Sequence, residues 1–540
     1  MTLMKLALNR KMIWLRVSAL VVLAILASTA FADSKKERQK AEKALRSGDF
    51  ERAEQLYREL LQKDDRDSEA RLGLSKTLLK QRRLQDSFDH AARVIAVDPL
   101  SAHAHSLLGT AILATGDFRL SIEEFRTALM LDQNDAMAVA GLAMVDFYEN
   151  RTGEALVKLR RAVGMDGDEP DYIFNLGQAA ARSERYKEAA DAYERFLLIA
   201  PRTDAERRAR IRGLIDFLRY LGQLRSSLYT VSGERSVLPF ETVENRPLIK
   251  IRINGSKTPL QFVLDTGSGM SVVSETTARK LGIRPVARGG MARAVGGGGR
   301  FEIVYGYLDS IDLGDIRIEN VPIYIRQFYD QQRPVDGYLG IAALTRLLTA
   351  VDYGNERMTL VKQRNVNDVG KALERPTVAD INASGIRRPG IEIPMRTTSS
   401  GFLSGEVTIQ GIKKPLNFII DTGATVSVLS ERAAELDDAF DFVQPQRMRV
   451  FGAAGVAENV KVALLPKVVV GSYAREKINA AILDLDPINE TTGFQQSGIL
   501  GGNFLRHFRV IFDFQRAMVR FEPLDANRPS EPLPQETTTP

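Results

Sequence analysis

The stretch Phe262–Ser274, FVLDTGSGMSVVS, recurs as Phe418–Ser430, FIIDTGATVSVLS. Each copy is an apolar run, then Asp-Thr-Gly, then Ser268 or Ala424, and shortly afterwards Ser-Val-(Val/Leu)-Ser. An apolar run of this length reads as a buried strand. Gly267 and Gly423 end it in a tight turn, where glycine turns with least steric cost. Asp265 and Asp421 would each be held at the end of a rigid element, and two such turns facing each other would bring two carboxylates together. A single Asp-Thr-Gly arises by chance in many chains and alone reads as a strand turn with a capping Asp. Here the agreement extends further. Asp421 follows Asp265 by 156 residues, Gly452 follows Gly296 by 156, and Gly455 follows Gly299 by 156. A register kept over some thirty residues indicates an internal duplication.

The duplication organises residues 237–525. Leu248–Ile253 alternates like a half-buried strand, followed by the hairpin signal Asn254-Gly255, and the second copy repeats the plan with Gly405–Ile409 and Gln410-Gly411. Each copy then has a glycine-rich stretch flanked by strand-like sequence, around Gly296 and Gly299 and around Gly452 and Gly455. These read as hairpin tips. The first run lacks the Lys-(Ser/Thr) of a phosphate-binding loop and opens no helix. Gly337-Tyr338-Leu339-Gly340 and Gly498-Ile499-Leu500-Gly501 come next at an offset of 161, as do Asp352 and Asp513 after strand-like runs. The two aspartates at 352 and 513 read as structural.

These residues resemble the aspartic peptidases of the retropepsin-like kind, in which each lobe supplies one Asp-Thr-Gly. The resemblance covers roughly residues 237–525. It implies an all-β bilobal fold with first lobe 237–365, linker 366–388 and second lobe 389–525. Asp265 and Asp421 would form the catalytic dyad and, as in aspartic peptidases as a class, share one proton and activate a water without metal or covalent intermediate. Thr266 and Thr422 would hydrogen-bond across the lobe interface. Gly267 and Gly423 would let the backbone donate to the carboxylates, with Ser268 and Ala424 beside them. The hairpins carrying Gly296, Gly299, Gly452 and Gly455 would be flaps over an extended peptide. The copies differ: Gly501-Gly502-Asn503 is close to the family pattern, whereas Gly340-Ile341-Ala342 has no polar residue there.

Upstream, residues 34–205 follow a 34-residue period. Asp64, Asp98, Asp132 and Asp166 recur at that spacing, as do Leu74, Leu108, Leu142 and Leu176, with Ser75, Gly109, Ala143 and Gly177 beside them. Small residues in register let paired helices approach, and Tyr57, Phe125, Leu159 and Tyr193 fill the gaps. The period is similar to that of tetratricopeptide repeats, about five of them. The resemblance implies an all-α superhelix over 33–205 with a surface for proteins or peptides. The bland alternative is an array that only docks on its own catalytic half. Residues 206–236 read as a helical cap and linker. A chain of residues 237–540 is then expected to cleave short peptides while losing preference among protein substrates.

Composition narrows the rest. There is no cysteine, which excludes disulfides, a thiol nucleophile and thiolate metal sites. His103 and His105 lie two apart in a helical repeat and share no face, so they read as packing or solvent residues. No metal or cofactor is implied. Residues 1–32 carry Lys5, Arg10, Lys11 and Arg16 and no acid; without them the formal charge of +6 becomes +2, no reason to invoke nucleic acid. Those basic residues precede an apolar run ending in Ala30-Phe31-Ala32, the pattern of a cleaved secretory signal. The expectation is an exported protein of the bacterial periplasm; the alternative is an N-terminal membrane anchor. Residues 526–540, rich in Pro, Thr and Glu, read as a disordered tail. The reading is an aspartic endopeptidase with a repeat array that recruits protein. The alternatives are an inactive binding scaffold, or an active site assembled between two chains.

Overall fold

The structure, a computed structural model, describes residues 34–293, 295, 300–329, 334–363, 390–436, 439–452 and 455–524. The expected signal (1–32), inter-lobe linker (366–388) and tail (526–540) lie outside the described residues, as do Gly296 and Gly299. No helix among the described residues is long and apolar enough to cross a membrane.

The N-terminal region is a run of helices in five pairs. They are α1 (34–47) with α2 (Phe50–Lys63), α3 (Ser68–Lys80) with α4 (Leu84–Val97), and α5 (Ala102–Thr115) with α6 (Phe118–Leu131). α7 (Ala136–Tyr148) with α8 (Thr152–Met165) and α9 (Pro170–Arg182) with α10 (Tyr186–Ile199) complete the set. The periodic aspartates explain themselves. Asp64, Asp98, Asp132 and Asp166 are the C-cap residues of α2, α4, α6 and α8. Each then accepts a bond from the backbone N–H two residues on, at 3.0, 3.2, 2.9 and 3.2 Å, an Asx turn that reverses the chain into the next helix. The small column also has a physical reason. A methyl group on Gly109 would come within 2.9 Å of the Phe125 ring, and one on Gly177 within 2.8 Å of Tyr193.

The chain forms two compact units. One, within Met1–Leu113, Asp117–Gly141 and Ala200–Asp204, holds the first helices; its core includes Ala53, Tyr57, Leu60, Leu74 and Leu78. The other takes in Ala114–Gly116, Leu142–Ile199 and the described residues from Ala205 onward. The later helices are therefore packed with the β half. Arg182 of α9 stacks on Phe147 at 3.8 Å and donates to the backbone carbonyls of Thr398 (2.6 Å) and Ser399 (3.2 Å). Burial pushes that guanidinium down to about 10. Asn150 donates to the carbonyl of Gln515 at 3.1 Å, Glu149 pairs with Arg396 at 3.1 Å, and Glu184 pairs with Arg346 at 3.1 Å. A last helix, α11 (Ala205–Gln223), packs on α10 and on the first lobe.

The β half begins earlier than residue 237. The strand Thr230–Ser232 precedes that point, and Arg235–Val243 runs across it. The second alternates, but its buried positions are Ser236, Leu238 and Phe240, with Pro239 between, so a polar residue and a proline hide the period. A chain starting at 237 would cut this strand and remove α11, so the 237–540 boundary is corrected.

Fourteen strands form one sheet and eight another among the described residues. The second lobe owns the smaller sheet. The larger combines the first lobe with a platform shared by both lobes, in which Leu347–Asp352 pairs antiparallel with Phe508–Asp513. In this ladder Ala350 faces Ile511, and Asp352 faces Arg509. Ala350 and Ile511 are themselves separated by the 161-residue offset, so the pseudo-two-fold axis relating the lobes runs through that pair. One apolar core spans both lobes, with Phe262, Leu264, Phe418, Ile420, Val510 and Phe512 buried.

Candidate active site

Each Asp turn is built alike. In the first lobe Leu260–Leu264 runs parallel to Gly337–Leu339, and the Asp265 N–H donates to the Leu339 carbonyl at 3.0 Å. In the second, Leu416–Ile420 runs parallel to Gly498–Leu500, and the Asp421 N–H donates to Leu500 at 3.0 Å. Small residues are required where the elements meet: a methyl group on Gly340 would come within 2.6 Å of the Met270 backbone, and one on Gly501 within 2.6 Å of the Val426 carbonyl oxygen.

The two threonines lock the turns together. Thr266 N–H donates to Thr422 Oγ1 at 3.1 Å, and Thr422 N–H donates to Thr266 Oγ1 at 3.0 Å. Each hydroxyl then donates to the strand of the opposite lobe, Thr266 to the Ile420 carbonyl and Thr422 to the Leu264 carbonyl, both at 2.7 Å. Both side chains are buried. In a low-dielectric interior these four bonds fix the spacing of the turns, because any one left unmade strands a buried polar group.

The carboxylates sit above this lock. Asp265 Oδ1 accepts from Gly267 N–H at 2.9 Å and Asp421 Oδ1 from Gly423 N–H at 2.7 Å. A methyl group on Gly267 would fall on the Asp421 carboxyl, and one on Gly423 would come within 2.7 Å of the Asp265 carboxyl. Each carboxylate therefore covers the glycine of the other turn. Burial pushes Asp265 well above the usual carboxylate range, and the neighbouring Asp421 raises it further. Burial also raises Asp421, against the opposing pull of the Gly423 N–H and of its hydrogen bond with Asp265. The pair titrates as a unit.

Ser268 Oγ donates to the Met270 carbonyl at 2.8 Å, while the Ala424 carbonyl accepts from Gly502 N–H at 2.7 Å. The lobes differ at the position noted in the sequence. Asn503 Oδ1 accepts from the backbone and hydroxyl of Ser427 at 2.9 and 2.8 Å, and its Nδ2 donates to the Asn479 carbonyl at 2.7 Å. The first lobe, with Ala342 there, has main-chain ties in that place, Ile341 N–H to the Ser268 carbonyl at 2.9 Å and Ala342 N–H to the Gly269 carbonyl at 3.0 Å, with Thr345 Oγ1 donating to the Ala342 carbonyl at 3.0 Å. Gly452 and Gly455 pair at the end of the hairpin formed by Val443–Gly452 and Gly455–Val470. The corresponding first-lobe hairpin joins Ala287–Arg293 to Arg300–Leu313.

Sequence reasoning missed two features. Arg326 ends the strand Ile316–Arg326, lies 4.0 Å over the Phe301 ring of the first hairpin, and its charge opposes the upward shift of Asp265. The other is the apolar cluster in which Phe217 and Leu221 of α11 pack with Tyr305, and Met270 joins from the Asp turn. An isolated arginine at a strand end carries no pattern, and α11 was legible only as an apolar stripe. Among the described residues no group of His, Asp and Glu forms a metal site.

The aspartyl protease family model matches residues 249–343 and again 405–504. Two tetratricopeptide repeat models match residues 44–109 and 141–205. Among solved structures, the chain is similar to a thermophilic TPR protein of Thermus thermophilus, at 18% identity and TM-score 0.29, covering 34% of this chain and 98% of that one. It is also similar to MamA of Desulfovibrio magneticus, at 20% identity and TM-score 0.23, covering 31% and 94%. The comparison with curated proteins gave no match. The chain thus joins a tetratricopeptide repeat array to two tandem lobes of the aspartyl protease family.

Proposed function

We propose that the protein is an aspartic endopeptidase whose single active site is the Asp265/Asp421 pair. The observation that carries this reading is the reciprocal Thr266–Thr422 lock, which holds two half-buried carboxyls, both raised above the usual carboxylate range, each against the other's turn. With one proton on the pair, the ionised carboxylate takes a proton from a water lying between them, and the protonated one hydrogen-bonds the scissile carbonyl. The water oxygen adds to that carbonyl carbon. The proton then passes to the leaving nitrogen as the C–N bond breaks. An extended peptide lies across the dyad beneath the hairpins, bound in part through its backbone.

Asp265→Asn and Asp421→Asn are each expected to abolish cleavage of a peptide library while leaving the circular dichroism spectrum unchanged. Substantial activity in both variants overturns the single-site reading in favour of sites assembled between two chains, and a wild type that cleaves nothing favours the binding scaffold. The antiparallel pairing of Leu347–Asp352 with Phe508–Asp513 supports a site assembled within one chain. The array belongs to repeat families that mediate protein–protein contacts. We assign recruitment of protein substrate or partner to the helices preceding α7, because the later helices pack on the catalytic half. We also propose export to the periplasm with cleavage after Ala32. N-terminal sequencing of envelope protein tests this; an intact Met1 points instead to an anchor.

A further inference from the structure

We propose that α11 is the positioning element of the first-lobe hairpin, holding it across the cleft so that peptide binding depends on a helix outside both lobes. The proposal rests on the endopeptidase reading for its kinetic arm only.

The strand Ala287–Arg293 is the last in its sheet, paired on one side with Arg300–Leu313. α11 covers it. The seat is backbone against backbone. A methyl group on Gly213 would strike the Gly289 backbone, and one on Gly289 would strike Gly213. One on Gly290 would come within 2.6 Å of the Arg210 Cα, and Gly290 itself has φ +77°. The strand bulges between Arg288 and Met291, where the two glycines sit, which turns its backbone to the helix. No ordinary side chain fits at Gly213 or Gly289 while the elements stay this close.

Aromatic contacts extend the seat toward the dyad. Phe217 stacks on Tyr305 with centroids 4.4 Å apart and planes at 18°, and Tyr220 meets Tyr307 edge-on at 5.9 Å. Met270, five residues past Asp265, packs into the same cluster. One helix therefore braces both the hairpin base and the turn that carries Asp265.

The far end of the hairpin is tied to the second lobe. Arg293 pairs with Glu490 at 3.0 Å and reaches Asp484 at 3.9 Å. Glu490 also faces Arg210 of α11 at 3.6 Å. Val295 packs against the second-lobe apolar cluster that includes Ile419, Val428, Val460 and Ile499. The hairpin thus spans from helix to opposite lobe, held at both ends. The matching second-lobe strand, Val443–Gly452, pairs with its own hairpin partner and presents an alternation of exposed residues outward. It serves as an internal comparison.

Hydrogen exchange on the full chain tests the seat without any substrate. Residues 287–293 are expected to exchange at least about tenfold more slowly than 443–452. Phe217→Ala should speed exchange of 287–293 by about tenfold, and should raise KM for a library-derived peptide by about tenfold with kcat changed less than about threefold, since ground state and transition state lose the same contact. Glu490→Gln, at a partly exposed position, should raise KM in the same direction with the fold intact, and it decides the matter if Phe217→Ala does not fold. Equal exchange of the two hairpins in the wild type overturns the proposal. So does an unchanged KM in both variants. If the wild type cleaves no peptide, the endopeptidase reading fails, and the exchange comparison alone decides whether α11 holds the hairpin.

Discussion

Asp265 and Asp421 bear on stability as well as on chemistry. Both carboxyls have folded-state affinities for protons above those of the unfolded chain. The folded state therefore holds more protons between the unfolded pKa, about 4, and the raised folded values, and stability falls as pH rises through that window. Replacing either Asp with Asn removes the charge that burial disfavours. Asp265→Asn should raise the melting temperature at neutral pH, and the gain should vanish below about pH 4; thermal scans at the two pH values check it. On the proposed mechanism, activity of the wild type should fall on both sides of an optimum, because that mechanism needs one proton on the pair and only one. Thr422→Val leaves Thr266 N–H without its acceptor and the Leu264 carbonyl without its donor. At about 1–3 kcal/mol for each stranded buried group, the loss should be about 2–6 kcal/mol, read as a lowered denaturation midpoint, with Thr422→Ser restoring most of it. The aspartates, threonines and glycines of this site were legible because the sequence states them twice. Arg326 is stated once, without a counterpart, and only the folded chain brings it to Phe301 and the dyad.

At the level of elements, legibility followed periodicity. The 34-residue period revealed the helical pairs because every repeat must solve the same packing problem, and the aspartates recur because every second helix ends in the same turn. The strand Arg235–Val243 escaped because Ser236 and Pro239 break its alternation. What α11 packs against was beyond reach, since Gly213 and Gly289 are ordinary until the chain brings their backbones together. A chain beginning at residue 237 loses α11 and the first two residues of a strand whose pairing with Arg357–Lys362 lies inside the shared sheet. It should unfold without a cooperative transition, whereas a chain beginning at Asp33 should unfold cooperatively; calorimetry separates them. Asn503→Ala should weaken the second lobe by about 1–3 kcal/mol, since Ser427 N–H and the Asn479 carbonyl lose their partner. The first lobe already manages with alanine there, so the loss should appear as lowered stability with the dyad still active.

For the whole molecule, the decisive relation is between the lobes. If each chain closes its own site, as proposed, mixing Asp265→Asn protein with Asp421→Asn protein should restore no cleavage. Activity that rises with the square of concentration in the mixture would mean exchange of lobes between chains. Two lobes and one array of about five repeats could be counted from the sequence. That the later helices and the lobes form one compact unit could not, because it depends on single contacts such as Arg182 with the Thr398 carbonyl, made between segments that share no pattern.

The Ala350–Ile511 pair on the pseudo-two-fold axis has a further consequence. In a symmetric pair of identical lobes, any helix resting on one hairpin would rest on the other as well, and both would answer to the same signal. Joining the lobes in tandem keeps the geometry of the axis while releasing each half from the other's history. One half could then acquire a helix, a bulge and a glycine seat, and the other an asparagine, without either change being imposed twice. A molecule whose two halves share one plan but are mechanically distinct can be steered from one side.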